Sequence, residues 1–541
     1  MNGIAGSAPS AIRTGDLSNA GTGRNAGQSV DVAVIGGGIN GVSIARDAAG
    51  RGLSVLLCEQ DDLAAHTSSA SSKMIHGGLR YLEYGEFGLV RKALQEREIL
   101  MSCAAHLIHP LRLIMPHTAD QRPAWLIRLG LLLYDHLASR RILPASAAVD
   151  LRTHVAGQAL QARYRRGFAY SDGWVNDARL VVLNALDAAE RGAQILTRTR
   201  CVSAQAEAGI WRLELETRSG RRQSVTARSL VNASGPWVAQ TARSVLQQPA
   251  ATIPPLRLVR GSHIVVPALF AHDCAYLLQH SDGRVVFALP YEQHFTLIGT
   301  TDVDQHADPG QAQISATEIA YLCDLASSYF ARPVRPVDVV HSFSGVRPLL
   351  AGEATGAKAA ALSRDYRLLL ESRPAPLLQV WGGKITTCRK LAEEALDQLA
   401  PLLGNRHGAW TAHVCLPGGD IAATVPDVRS VTGLADFVAS CQQHYHWLPP
   451  ALVQRYVYAY GTRLHRLLEG CRQMADMGEW LAPGLCTREV RYLMQYEWAQ
   501  QAGDVLWRRS HLGLQLPAAA VERLSAWMQA RYQDHPHVSQ S

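Results

Sequence analysis

The chain has 541 residues, 47% hydrophobic and 18% charged, and its 53 Lys plus Arg against 46 Asp plus Glu leave a formal net charge of +7. That length calls for several domains or one composite fold with ample core, and it excludes a disordered chain. The modest positive balance suits an anionic substrate or an acidic lipid surface; without a compact basic run or a recognition signature, nucleic acid is not an expected partner.

Residues 1–29 are rich in Gly, Ala, Ser and Asn and lack the apolar core of a signal peptide, so they are expected to form a flexible leader. The run Asp31 to Ile35 reads as a buried parallel strand, and Gly36, Gly38 and Gly41 supply a G-x-G-x-x-G turn into a helix. Gly36 permits the tight turn, Gly38 lets a pyrophosphate approach the backbone, and Gly41 lets the helix pack against the strand. A second apolar run, Leu53 to Cys58, ends at Glu59, where a carboxylate accepts hydrogen bonds from a ribose. The order strand, turn, helix, strand and acid predicts a dinucleotide site, without choosing between nicotinamide and flavin.

Thr67 to Leu82 is a hydroxyl-rich loop running into His76-Gly-Gly, suited to lie against a ligand, although capping by Ser and Thr is the alternative. Glu86 to Met101 predicts a helix. Arg122 to Leu143 is basic at its flanks and apolar between them, and two readings compete: a buried core helix, or an interfacial helix with Trp125 and leucines among lipid tails. Strand-like runs follow at Gln194 to Arg200, Ile210 to Thr217 and Ser224 to Ala227, and Leu230 to Gly235 is a second place where backbone meets a nucleotide. Alternating runs at His263 to Val266, Arg284 to Leu289 and His294 to Gly299 predict an antiparallel substrate sheet. From about Ala409 the chain turns to helix formers. No run of about 18 apolar residues occurs, so no transmembrane span is expected. The ten cysteines contain no C-x-x-C pair and read as reduced thiols of a cytoplasmic protein. The prediction is an α/β (α+β composite) fold. A Rossmann-like nucleotide-binding domain is interleaved with an inserted antiparallel-sheet substrate domain over 30–404, and a helical carboxy-terminal domain covers 405–541.

These residues resemble the flavin-dependent sn-glycerol-3-phosphate dehydrogenases, within the D-amino-acid-oxidase-like flavoproteins. The likeness runs through Gly36-Gly-Gly-Ile-Asn-Gly41, Ser68-Ser-Ala-Ser-Ser-Lys73, His76-Gly-Gly-Leu-Arg-Tyr-Leu-Glu83, Gly261-Ser-His-Ile-Val-Val266, Ile298-Gly-Thr-Thr-Asp302, Ser344-Gly-Val-Arg-Pro-Leu349 and Trp381-Gly-Gly-Lys-Ile-Thr-Thr387. It continues through Leu416-Pro-Gly-Gly419 and Leu506-Trp-Arg-Arg509. The resemblance implies FAD as cofactor, with Gly36, Gly38, Asn40, Gly41, Glu59, Thr67, Ser68, Ser72, Lys73, His76, Gly77, Gly235 and Gly383 around it. It implies sn-glycerol 3-phosphate as substrate, held by Arg80, Tyr81, Thr300 and Arg364, with His263, Arg347 and Lys384 as catalytic residues. Fixed cations, preferably Arg, are needed because a phosphate dianion leaving water must be met by donors. His263 is the leading base, although a structural role for it, or alkoxide stabilisation by a nearby Arg or Lys alone, stays open.

The implied product is dihydroxyacetone phosphate, with electrons leaving for a membrane quinone. That places the protein in the cytoplasm, peripherally on the inner face of the cell membrane. The helix near Trp125 and the basic pair Arg508 and Arg509 are then candidate contacts with anionic lipid. A homodimer is compatible with the resemblance. No metal is expected: Asp302, Asp304 and Asp308 hint at a calcium loop, but His306, Ala307 and Gln313 fail its ligand pattern. The absence of EF-hands also resembles the bacterial rather than the mitochondrial form. The competing functions are an oxidase passing electrons to oxygen, an amine or amino-acid oxidase, and a non-catalytic FAD-containing scaffold.

Overall fold

The strand Gln28–Ile35 is fully buried from Val32 to Val34, as a continuous Val-Ala-Val run requires when both faces of a sheet are covered. The structure, a computed structural model, describes residues 28–280, 283–350, 365–421 and 433–534. The expected leader lies outside these residues apart from Gln28 and Ser29, which already belong to the first strand. Gln28–Ile35 pairs in parallel with Val55–Cys58 on one side and Arg222–Asn232 on the other. Gln194–Leu196 and Leu377–Trp381 extend the parallel sheet, and Arg367–Glu371 closes one edge in antiparallel register. Helix α1 (Ile39–Gly50) enters directly from the glycine turn and packs its Val42, Ile44, Ala45 and Ala48 into the sheet's core.

Helices α2 (Phe87–Cys103) and α3 (Ala124–His136) precede and follow the first long strand of a second sheet, Ile108–His117. That strand pairs with Arg166–Val175 over ten residue pairs, from Ile108 opposite Val175 to His117 opposite Arg166. Leu256–Pro267 pairs with Phe295–Gly299 and with His341–Leu350. The expected antiparallel sheet is therefore present with one exception: Ala275–Gln279 runs parallel to Ile108–His117, so the sheet is mixed. Helix α4 (Asp177–Glu190) packs its apolar face against α1, with Asn176 accepting from the Arg179 amide as its N-cap.

Residues 433–534 are mainly helical, with one short hairpin of Trp480–Ala482 and Leu485–Cys486, around a separate core of Tyr456, Tyr460, Leu464, Val490, Leu493 and Leu524. Buried arginine pairs fasten this core to the nucleotide region. Arg179 on α4 forks onto Glu497, with Nη2 to Oε1 at 2.9 Å, and both side chains have no exposed surface. Arg198 reaches Asp504 at 2.7 Å, and Arg509 takes both oxygens of Asp62 at 2.7 and 2.8 Å. This corrects the expectation that Arg508 and Arg509 face lipid: Arg509 is wholly buried, and Arg508 is shared between Asp62 and Asp504, each at 2.6 Å.

Removing one partner of such a pair strands a buried charge and costs about 3–5 kcal/mol, whereas replacing both with apolar groups is often close to neutral. Arg179→Leu is therefore expected to lower the denaturant midpoint strongly, and Arg179→Leu with Glu497→Leu to recover much of the loss. Equal stability of the single variant and the parent in urea unfolding would contradict this account.

Candidate functional site

The glycine turn has no room for side chains. A Cβ on Gly41 would lie 1.9 Å from the Gly36 carbonyl oxygen, and one on Gly36, whose φ is +114°, would lie 2.5 Å from the Ala233 oxygen. The turn opens onto a cavity of about 590 Å³, within the range of sites that enclose a large organic ligand. Ile35, Gly36, Gly38 and Glu59 line one end; Tyr81, Phe287, Thr300, Arg347 and Lys384 line the other. Asn40, Thr67, Ser68, Ser72, His76, Gly235 and Gly383 also line it.

Glu59 accepts from the Gly37 amide at 2.6 Å and from the Asp61 amide at 2.8 Å. Burial pushes its carboxyl above the usual range, against the lowering effect of those two amides. With Asp61 and His66 it brings three ligand-type atoms within 4.8 Å of one another, but two of its bonds are already to backbone amides.

Each hydroxyl of the Thr67 to Lys73 loop has a protein partner. Ser68 accepts from the Ile39 amide at the start of α1 at 3.0 Å, and Thr67 donates to the Val346 carbonyl at 2.8 Å. Ser71 donates to Asp177 at 2.7 Å, and Ser72 lies 2.8 Å from His263 Nε2. The hydroxyl-rich composition thus serves largely to knit the loop to α1, α4 and the second sheet, while the backbone and Thr67, Ser68 and Ser72 still face the cavity. Lys73 requires a correction as a cofactor ligand: its ammonium sits behind the loop, 2.7 Å from Asp177 and 2.6 Å from the Ser69 carbonyl, and is absent from the cavity lining. Gly77 is corrected likewise, because its amide donates to Tyr134 Oη at 2.8 Å on the side away from the cavity. Gly41 acts through packing rather than contact.

At the far end, Arg347 Nη2 donates to Thr300 Oγ1 at 3.0 Å and Nη1 pairs with Asp302. Its guanidinium lies on Gly261, where an added Cβ would come within 2.2 Å of Nη2. Lys384 places its ammonium 3.8 Å from the centre of the Tyr81 ring. Arg80 does not join them: on the short 3-10 turn Leu79–Tyr84 consecutive side chains diverge, and Tyr81 is the one turned to the cavity. Arg364 lies outside the described residues. The acids of the suspected calcium loop go separate ways, Asp302 to Arg347, Asp304 to Arg257 at 2.7 Å and Asp308 to the Gly310 amide at 2.6 Å.

His263 is 2% exposed and stacks on Phe343 with ring centres 4.9 Å apart. Burial, then the positive charges of Arg347 and Lys73, hold its imidazolium well below the usual range, so the ring is neutral near pH 7. Phe287, Trp237, Thr386 and Asp365 also line the cavity and were not singled out in the sequence. Phe287 lay within an anticipated strand, but its inward direction had no separate signal.

These features fit a flavin dinucleotide. The glycines leave backbone for a pyrophosphate, α1 points its amino end at it, and two buried atoms of lining residues, Asn40 Oδ1 and His263 Nδ1, have no hydrogen-bond partner. Residues 31–389 match the FAD dependent oxidoreductase family, and residues 409–533 match the C-terminal domain of alpha-glycerophosphate oxidase. A glycerol-3-phosphate dehydrogenase of Pseudomonas aeruginosa is 52% identical over 94% of this chain and 96% of its own. The chain belongs to the FAD-dependent glycerol-3-phosphate dehydrogenase family. The aerobic glycerol-3-phosphate dehydrogenase of Escherichia coli is 44% identical over 93% of this chain and 97% of its own. A D-erythritol 1-phosphate dehydrogenase of Brucella abortus is 45% identical over 92% and 98%. The fold also matches a Bacillus halodurans glycerol-3-phosphate dehydrogenase solved with FAD, at a TM-score of 0.71 and 23% identity over 95% of each chain. The enzyme is FAD-dependent.

Because a Cβ at position 41 collides with backbone, Gly41→Ala is expected to purify with much less flavin per chain, measured as visible absorbance against protein. Full flavin occupancy in that variant would show that the turn relaxes without loss.

Proposed function

We propose that the enzyme oxidises sn-glycerol 3-phosphate to dihydroxyacetone phosphate and passes the electrons to a membrane quinone. What chiefly supports this reading is Arg347, held by Asp302 and Thr300 at the end of the cavity away from Gly36 and Glu59, with Lys384 beside it. A forked guanidinium plus an ammonium meets a phosphate dianion and leaves the C2 hydroxyl near His263. When bound, FAD supplies the acceptor for the hydride that leaves C2. His263 takes the hydroxyl proton. Burial is the main cause that lowers its basicity; of the two cations that add to it, Arg347 is the one a phosphate would neutralise, so substrate binding relieves that part of the effect.

The D-erythritol 1-phosphate dehydrogenase relative, as similar as the Escherichia coli one, supports a second reading in which the polyol is one carbon longer. Adding each substrate to the oxidised enzyme under nitrogen separates them. Glycerol 3-phosphate should bleach the flavin at the lower concentration, and Arg347→Ala should need roughly 10- to 100-fold more of it, the worth of about 1.5–3 kcal/mol for a charged hydrogen bond. Preferential bleaching by the erythritol phosphate, or none by either, would overturn the substrate. Rapid reoxidation by air with peroxide, rather than by a quinone analogue, would make it an oxidase.

His263→Asn is expected to lose roughly 10²–10⁴ in kcat and to flatten the acid limb of the kcat profile, since protonating a base abolishes its action. A variant with the parent's acid limb would remove His263 from the chemistry.

A quinone acceptor requires contact with lipid, and no helix among the described residues is long and apolar enough to cross a membrane. Helix α3 offers the contact. Its Leu131 and Tyr134 face inward, while Trp125, 69% exposed, Leu126, Leu129, Leu132 and Leu133 face outward, with Arg128 and Arg141 exposed nearby. This favours the interfacial reading of that helix, on the inner face of the cell membrane and against anionic lipid.

A further inference from the structure

Helix α3 meets the wall of the cavity in two ways: its inner face packs against the Leu79–Tyr84 turn, and one of its side chains hydrogen-bonds the backbone of the wall. Tyr134, on the inner face of α3 and 2% exposed, accepts the Gly77 N–H at 2.8 Å and donates its own proton to Asp172 Oδ1 at 2.7 Å. Arg97 on α2 holds the same Asp172 oxygen at 2.6 Å, and both of these side chains are about 1% exposed. The contact with Gly77 has no slack: an added Cβ there would lie 2.7 Å from Tyr134 Oη and 2.5 Å from Leu94 Cδ2.

On the other side of Gly77 the chain forms the cavity wall. His76 lines the cavity and its amide donates to Thr386 Oγ1 at 3.3 Å; Tyr81, on the turn that follows, takes the Lys384 ammonium on its ring. A shift of α3 therefore reaches the substrate end through a buried, charge-anchored network rather than through compressible space.

We propose that Tyr134 is a positioning residue that couples the seating of α3 on an anionic bilayer to the geometry of the His76–Tyr81 wall. The occupant of the outer face rests on the lipid reading above. A bilayer biases the wall by as much as it favours one setting of α3 over another.

The test uses the holoenzyme with phosphatidylglycerol–phosphatidylcholine vesicles and a water-soluble electron acceptor, so that quinone partitioning plays no part. Tyr134→Phe deletes only the hydroxyl and keeps the ring, and Trp125→Glu disables the outer face at an exposed position remote from the site. In the parent, vesicles should change the visible circular dichroism of the flavin and move KM or kcat by about fivefold, the lower end of typical coupling between sites. Tyr134→Phe should sediment with vesicles as the parent does while its flavin and kinetic responses fall well below the parent's. Trp125→Glu should lose sedimentation and response together and keep the parent's vesicle-free activity. Parent protein that sediments with vesicles without a flavin or kinetic response, or Tyr134→Phe that responds like the parent, overturns the coupling alone. Parent protein that does not sediment overturns the lipid reading, and the coupling with it.

Discussion

The cofactor end of the molecule depends on an approach of backbone to backbone that admits no side chain. Where α1 begins, its first turn lies against the Gly36 carbonyl so closely that hydrogen is the only substituent Gly41 can carry. That contact sets the angle at which α1 leaves the sheet and aims its free amides along the cavity. Ser68 then accepts the Ile39 amide from across the site, so the hydroxyl-rich loop takes its bearing from the same helix start. The positions of Thr67 against Val346 and of Ser72 against His263 follow, and with them the relation between dinucleotide and substrate ends.

Charge is handled in two different ways. Away from the cavity, several arginines are buried against acids: Arg179 with Glu497, Arg389 with Glu96 at 2.5 Å, Arg97 with Asp172. Such pairs gain little net stability over apolar packing, but they penalise any arrangement that separates the partners, so they favour one mutual placement of the layers. At the cavity the cations keep some access to solvent. Arg347 retains 22% side-chain exposure with Asp302 and Thr300 in place.

Much of this could be read along the chain, because local sequence carries local geometry. The order of strand, glycine turn, helix and acid needs only thirty-odd consecutive residues, and the strands through His263, Phe287 and Thr296 showed their alternation. Contacts between distant segments left no such trace. Lys73 reads as a loop cation facing a ligand until Asp177, 104 residues on, is found beneath it. Gly77 looks like a ligand-facing glycine, yet its bareness answers Tyr134. Helix α3 is apolar on nearly every side, so its periodicity could not say which stripe faces inward, and only the burial of Leu131 and Tyr134 against exposed Trp125 decides it. Arg508 and Arg509 looked like surface charge for the same reason: their shared acid, Asp62, lies far back in the chain.

That acid has a consequence for how the enzyme is made. Asp62 stands just after the strand Val55–Cys58 and Glu59 at its end, and its partner Arg509 follows 447 residues later. During synthesis the nucleotide half emerges with this carboxylate unanswered, although the loop around it is already held by the Gly37 and Asp61 amides on Glu59 and by the Arg198 amide on the Asp61 carbonyl. Closing so long a loop is slow relative to local folding, though its entropy grows only logarithmically with length. The buried pair of Asp62 with Arg509 therefore forms only when these late helices dock onto the nucleotide region.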